Sequence, residues 1–177
     1  MKRILPFAFL LLPFALLSQH EHPAPAPQPP AAQSAEAGHH ACLDQERAAI
    51  ANGEGFGMAL AADRSGYPGP KHILELKAEL KLTREQEAAI EKIRAEMKEK
   101  ALARGREVLL AEERLEELFR QQRSEPELRE EAFRAASLRV ELRWTHLAAH
   151  LAARKVLNAG QLAAYHRLRY GAAQHAH

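Results

Sequence analysis

The residues best suited to chemistry in this chain are two histidines one helical turn apart, His146 and His150. A separation of four puts both rings on one face of a helix, the arrangement in which two imidazoles share a metal ion. Arg139 and Arg143 fall on the same edge, where their charge opposes a cation, and the competing reading is an ordinary basic edge beside a helical core. A complete site needs a third and a fourth ligand. His72, Glu75, Met97 and Cys42 offer suitable donor types, although their spacing in the chain does not bring them near the pair. His39 and His40, with the other histidines of the two chain ends, form a looser set able to collect a soft or borderline divalent ion, or else are solvated linker residues. No His-Glu-x-x-His motif is present, which disfavours a zinc protease. No Ser/His/Asp, Cys/His or paired-carboxylate set occupies a defined loop, so no enzyme is expected.

The element that carries the pair is long. Residues 125–157 hold two apolar stripes at helical spacing, one through Leu128, Ala135, Leu138, Leu142, Ala149 and Val156, the other through Phe133, Val140, Trp144, Leu147 and Leu151. At 100° per residue the stripes lie on opposite sides, and a single partner helix covers only one. The partner is the preceding helix, 84–122, whose stripe includes Ile90, Ile93, Met97, Ala101, Val108, Ala111 and Leu118. Gly105 in its middle permits a bend or a close crossing. Ser124, Pro126 and Glu127 end one helix and start the next, and so short a connection makes the pair antiparallel. A second stripe without a partner makes a homodimer the expectation, with Trp144, Leu147 and Leu151, flanked by Arg139 and Arg143, as the alternative surface for an unfolded client.

Short helices flank the hairpin, at 71–80 and 158–170, so the fold expected is all-α: a long antiparallel hairpin with a short helix at each end. Upstream, Lys2 and Arg3 precede an apolar run of 14 residues, 4–17, too short for the roughly 20 that span a bilayer. With Ser18 it reads as a signal peptide, 1–18, directing export to a periplasm; an uncleaved anchor fits the short run less well. Residues 19–41, with Pro23, Pro25, Pro27, Pro29 and Pro30, read as an extended tether. Residues 42–70 read as a flexible approach that opens on a short helical turn through Leu43, Arg47 and Ile50 and continues through Gly53, Gly55 and Gly57, a loop without the strand or lysine of a phosphate-binding loop. The domain itself is 71–170, and 171–177 is a tail with His175 and His177.

Composition narrows the function classes. A formal charge of +2 from 25 basic and 23 acidic residues lacks the basic excess of a nucleic-acid binder. Cys42 is the only cysteine, which rules out an internal disulfide and leaves an intersubunit bridge, a metal ligand or a free thiol.

Two short motifs bracket the hairpin. Leu82-Thr83-Arg84-Glu85-Gln86 and Leu157-Asn158-Ala159-Gly160-Gln161 each place a capping side chain three residues before a glutamine. The first resembles the Leu-Thr-x-x-Gln motif of the Spy/CpxP proteins and the related periplasmic heavy-metal resistance and sensor proteins. The second has the same place and spacing with asparagine for threonine. The resemblance covers about 66–170, rests on Leu82, Thr83, Gln86, Leu157 and Gln161, and includes the exported N-terminus. It implies a helical hairpin that dimerises into a cradle and works without ATP or a chemical reaction. It further implies either binding of zinc, copper, nickel or cobalt in resistance or sensing, or holding of unfolded envelope proteins or restraint of a membrane sensor. His146 and His150 match the style of helix-borne ligands in the metal-binding branch.

Overall fold

Each arm of the hairpin is fixed by chemistry at its own ends before the two arms meet. The computed structural model describes the backbone of residues 30–171 and the side chains of residues 41–171. Its helices are α1 (Pro30–Ala51), α2 (Leu60–Arg64), α3 (Pro70–Glu75), α4 (Arg84–Arg120), α5 (Glu125–Val156) and α6 (Ala159–Tyr170), with no strand among the described residues. The signal segment 1–18, residues 19–29 of the tether and the tail beyond 171 lie outside the described residues. Among those described, no helix is long and apolar enough to cross a membrane.

α4 has 37 residues, about 55 Å at 1.5 Å per residue. At its start the Thr83 hydroxyl accepts from the Gln86 amide at 3.2 Å, and the Gln86 carbonyl oxygen accepts from the Thr83 amide at 3.1 Å. At its end Gln122 turns to φ +52°, the Arg123 amide donates to the Leu118 carbonyl and the Gln122 amide to that of Phe119. That is a Schellman closure built without glycine. α5 begins where the Glu127 carboxylate accepts from the Ser124 amide and hydroxyl, at 3.1 and 2.6 Å. The antiparallel pairing runs the length of the hairpin, from Arg139–Glu112 through Arg104–Glu141 to Gln86–Val156.

Two apolar clusters sit along this seam. One, at the open end, joins Ile73, Leu80, Ile90, Ala153, Leu157 and Tyr165 from α3, the following turn, α4, α5 and α6. The other, nearer the hairpin turn, joins Ile50, Ala101, Val108 and Leu142. Burying side chains of this size is worth about 1.5–3 kcal/mol each for the larger ones, so these clusters are the main source of stability. Between them the seam turns polar. His146 and His150 on α5 fall in that gap, opposite Arg94, Met97 and Lys98 of α4.

The approach to the hairpin differs from the extended tether and loose segment expected upstream. α1 starts at Pro30, where a proline at the first helical position costs no hydrogen bond, and the alanine-rich stretch after it carries the helix to Ala51. Its C-terminal turn is docked, with Ile50 buried in the second cluster. Gly105 makes this possible: a Cβ there would lie 2.6 Å from the Ile50 carbonyl oxygen. Of its two expected roles, the close crossing is the one used, and the crossing helix is α1. The helix expected over 71–80 is also shorter. α3 stops at Glu75, and tight turns over 76–81, ending on Lys81 at φ +50°, bring Leu80 into the core.

Candidate functional site

The wall of the site begins with α5. Its buried face runs Ala135, Leu142, His146, Ala149, His150 and Ala153, so the two histidines continue the core stripe. They do not form an outer basic edge. The arginines expected beside them are engaged elsewhere. Arg139 bridges Glu46 of α1 and Glu112 of α4 at 2.7 and 2.6 Å, and Arg143 donates to the Met58 carbonyl at 3.1 Å. The charge of Arg139 is therefore neutralised by two carboxylates, while Arg143 stays exposed with one hydrogen bond to a backbone carbonyl.

The remaining walls come from the chain upstream. Residues 52–57 pass over His146 so closely that a Cβ at Gly55 would lie 3.2 Å from its Nδ1. The turn 66–69 passes over His150, where a Cβ at Gly69 would stand 2.9 Å from both Nε2 and Cε1. Arg154 holds this turn to α5, donating to the Gly66 carbonyl at 2.8 Å and stacking over the Tyr67 ring at 4.6 Å. With α3 and α4, these segments form a half-open cavity of about 460 Å³, lined among others by His146, His150, His72, Met97, Lys71, Arg94 and Lys98. The glycines read from sequence as a loose loop are thus a wall of the site. Their alternation in an otherwise helical chain was the available signal.

The two histidines differ in their bonding. His150 Nδ1 lies 2.7 Å from the Tyr67 carbonyl oxygen. A carbonyl only accepts, so Nδ1 carries the proton and Nε2 is the nitrogen left for a ligand. His146 is 4% exposed, and its Nε2 is buried with no hydrogen-bond partner. Leaving a buried polar atom unpaired costs roughly 1–3 kcal/mol, and His146 Nε2 shares this condition with His72 Nδ1, so both atoms call for explanation. Burial, and secondarily the neighbouring His150, hold the His146 imidazole below its ordinary value of 6.5. It is accordingly a neutral donor at physiological pH.

His72 reaches the same cavity from α3 but is turned toward α6. Its Nε2 accepts from Arg169 at 3.4 Å, and its Nδ1 stands 3.9 Å from Asp63, too far for a hydrogen bond. Burial and Arg169 lower its pKa against the pull of Asp63 and Glu75, so the pair is a neutral ring beside a carboxylate and not an ion pair. Asp63 itself is held by the Tyr165 hydroxyl at 3.2 Å and by Arg169 at 3.7 Å. Burial, with Asp63 next, drives the Tyr165 phenol well above its ordinary range.

The other candidates lie apart. Cys42 is exposed on α1, and Glu75 is exposed on α3. His39 and His40 lie on α1 by their backbone. Trp144 and Val140 are 58% and 67% exposed on the far face of α5, with Phe133 and Leu151 also exposed and Leu147 half-buried. Among the described residues, no group of three or more His, Cys, Asp or Glu is arranged to hold a metal ion. The cavity brings together two histidine donors, with Met97 and His72 on its wall.

The bracketing motifs meet. Gln86 Nε2 donates to the Gln161 Oε1 at 2.9 Å and to the Val156 carbonyl at 2.8 Å; Gln161 Nε2 donates to Gln86 Oε1 at 2.9 Å and to the Leu80 carbonyl at 3.2 Å. Each glutamine carbonyl also accepts from the backbone of its own cap, Thr83 or Asn158. The two side-chain amides are fully satisfied and lock the hairpin's open end. This makes the motif residues a structural fastening next to the site, with Leu157 buried and Leu82 half-buried beneath them.

No family model matches the chain, and comparison with curated proteins and with solved structures finds no similar one.

Proposed function

We propose that this is a non-enzymatic, exported envelope protein that binds a divalent transition metal ion through His146 and His150. The observation that carries the reading is the His146 Nε2, buried and without a partner, one turn from a His150 whose Nε2 is left for a ligand. The donor chemistry fits: two imidazoles and a thioether suit zinc, copper, nickel or cobalt over magnesium or calcium. The glycines facing both rings supply clearance that a side chain at Gly69 would fill. The carbonyl of Tyr67 orients His150 as outer partners orient metal-binding histidines. The likeness of the two bracketing motifs to the Spy/CpxP group adds a role in heavy-metal resistance or sensing.

Calorimetry with zinc, copper and nickel tests this. One ion per chain is expected for the wild type, and at least a tenfold weaker affinity for both His146→Ala/His150→Ala and His146→Gln/His150→Gln, the glutamine pair preserving more of the packing. Unchanged affinity and stoichiometry in folded variants would remove these residues from the site.

A second reading draws on a separate surface. Phe133, Val140, Trp144 and Leu151 stand exposed along the outer face of α5, an apolar stripe of the kind that marks an interaction site. It supports ATP-independent holding of unfolded envelope proteins or contact with a membrane sensor. Suppression of aggregation of an unfolded client at near-equal stoichiometry, lost in Val140→Asp/Trp144→Asp, is the expected outcome. Failure of the wild type to suppress it removes this role.

A further inference from the structure

We infer that the cavity takes its metal more tightly as a complex with a small polycarboxylate than as the aquated ion; this rests on the metal reading of the histidine pair. Size is the first argument. The half-open cavity offers about 460 Å³, room for a ligand that extends beyond a metal ion and its histidines. That is the size of a small-molecule site.

Charge is the second argument. Lys71, Arg94 and Lys98 all border the cavity. Among the described residues no carboxylate pairs with Arg94 or Lys98, and Lys71 meets only Glu75, at 3.9 Å. Of the acidic residues on the wall, Asp63 is taken up by Tyr165 and Arg169, which leaves Glu54. Such a rim repels a bare dication and attracts an anion. The same rim and histidines together fit a ligand that is anionic outside and metallic inside.

The donors divide accordingly. His146 and His150 replace two waters on the metal, while the carboxylates of the chelator keep the other positions. Their remaining oxygens face the ammonium and guanidinium groups, where Arg94 can engage one in bidentate fashion. Ligand exchange of this kind changes no oxidation state and releases only water.

Equilibrium dialysis of the full chain with nickel, with and without radiolabelled citrate, tests the inference. Expected is co-retention of nickel and citrate at one each per chain, with the complex bound at least tenfold more tightly than nickel alone. In Arg94→Gln/Lys98→Gln, both positions exposed and folding checked by circular dichroism, this advantage is expected to shrink below threefold. In His146→Gln/His150→Gln, co-retention is expected to be lost. If citrate strips nickel from the protein, or nickel is retained as tightly without citrate as with it, the chelate inference is overturned and the metal reading stands. If nickel is not retained in either condition, both fall. Citrate retained without nickel, and unaffected by the histidine substitutions, would mean a plain anion site and would also overturn the inference.

Discussion

Single residues decide two properties of this protein. His146 is buried as a neutral ring, with a proton affinity below its ordinary value, so the unfolded chain binds more protons than the folded one below about pH 6.5. Stability is therefore full above that pH and falls as pH drops from it through the depressed folded pKa; His72 acts with the same sign. Urea midpoints measured between about pH 7.5 and 5 are expected to fall, with a shallower decline in His146→Phe. The second property belongs to the amide pair. Gln86→Ala strands the buried Gln161 amide and is expected to cost about 2–3 kcal/mol, as is Gln161→Ala. The double variant should cost less than the sum, with a coupling of about 1 kcal/mol or more in a double-mutant cycle; simple additivity would refute the pairing. At this scale the spacing of His146 and His150 was legible, because a period of four is a property of any helix. Their burial was not, since it depends on what lies across the seam. Nor was the glutamine pair, whose partners are separated by 75 positions.

Elements explain where the reading of the chain stopped short. The hairpin was legible from its caps and stripes, all of them local signals. Of α1 only its last turns, through Leu43, Arg47 and Ile50, were legible, because the prolines up to Pro30 dominate the pattern before them and the docking depends on a glycine more than fifty residues away. Gly105→Ala puts a methyl group against the Ile50 backbone carbonyl, which cannot swing aside as a side chain would. A loss of about 1–3 kcal/mol is expected, with faster amide exchange at the C-terminal end of α1. The Schellman closure supplies a test of opposite sign. Gln122 holds φ +52°, a conformation that strains a residue with a Cβ, so Gln122→Gly is expected to raise stability by about 0.5–1 kcal/mol in chemical denaturation.

For the whole molecule, the hairpin has an inner face committed to α1, α3 and α6 and an outer face, through Phe133, Val140 and Trp144, that is left exposed among the described residues. The two stripes on α5 were legible by helical angle, but which stripe the chain itself would cover was not. The intramolecular stripe proved to be the one carrying the histidines, because the upstream segments fold back over it. Our proposal that a second copy covers the other face predicts a concentration-dependent dimer in sedimentation equilibrium at micromolar concentration, dissociated by Val140→Asp/Trp144→Asp. A wild-type monomer throughout that range would exclude such a dimer.

The glutamine fastening has one more consequence, for alignment. The seam between the arms relies on alanines at 101, 111, 135, 149 and 153, small side chains that discriminate poorly between one pairing and a pairing displaced by a helical turn. A displacement of 5.4 Å would leave much of that seam apolar while separating Gln86 from Gln161 and the Val156 carbonyl. The two motifs then act as a vernier at the far end of a 55 Å scale, rejecting sliding errors that the core itself would tolerate. Placement of His146 and His150 opposite Met97 follows from that alignment.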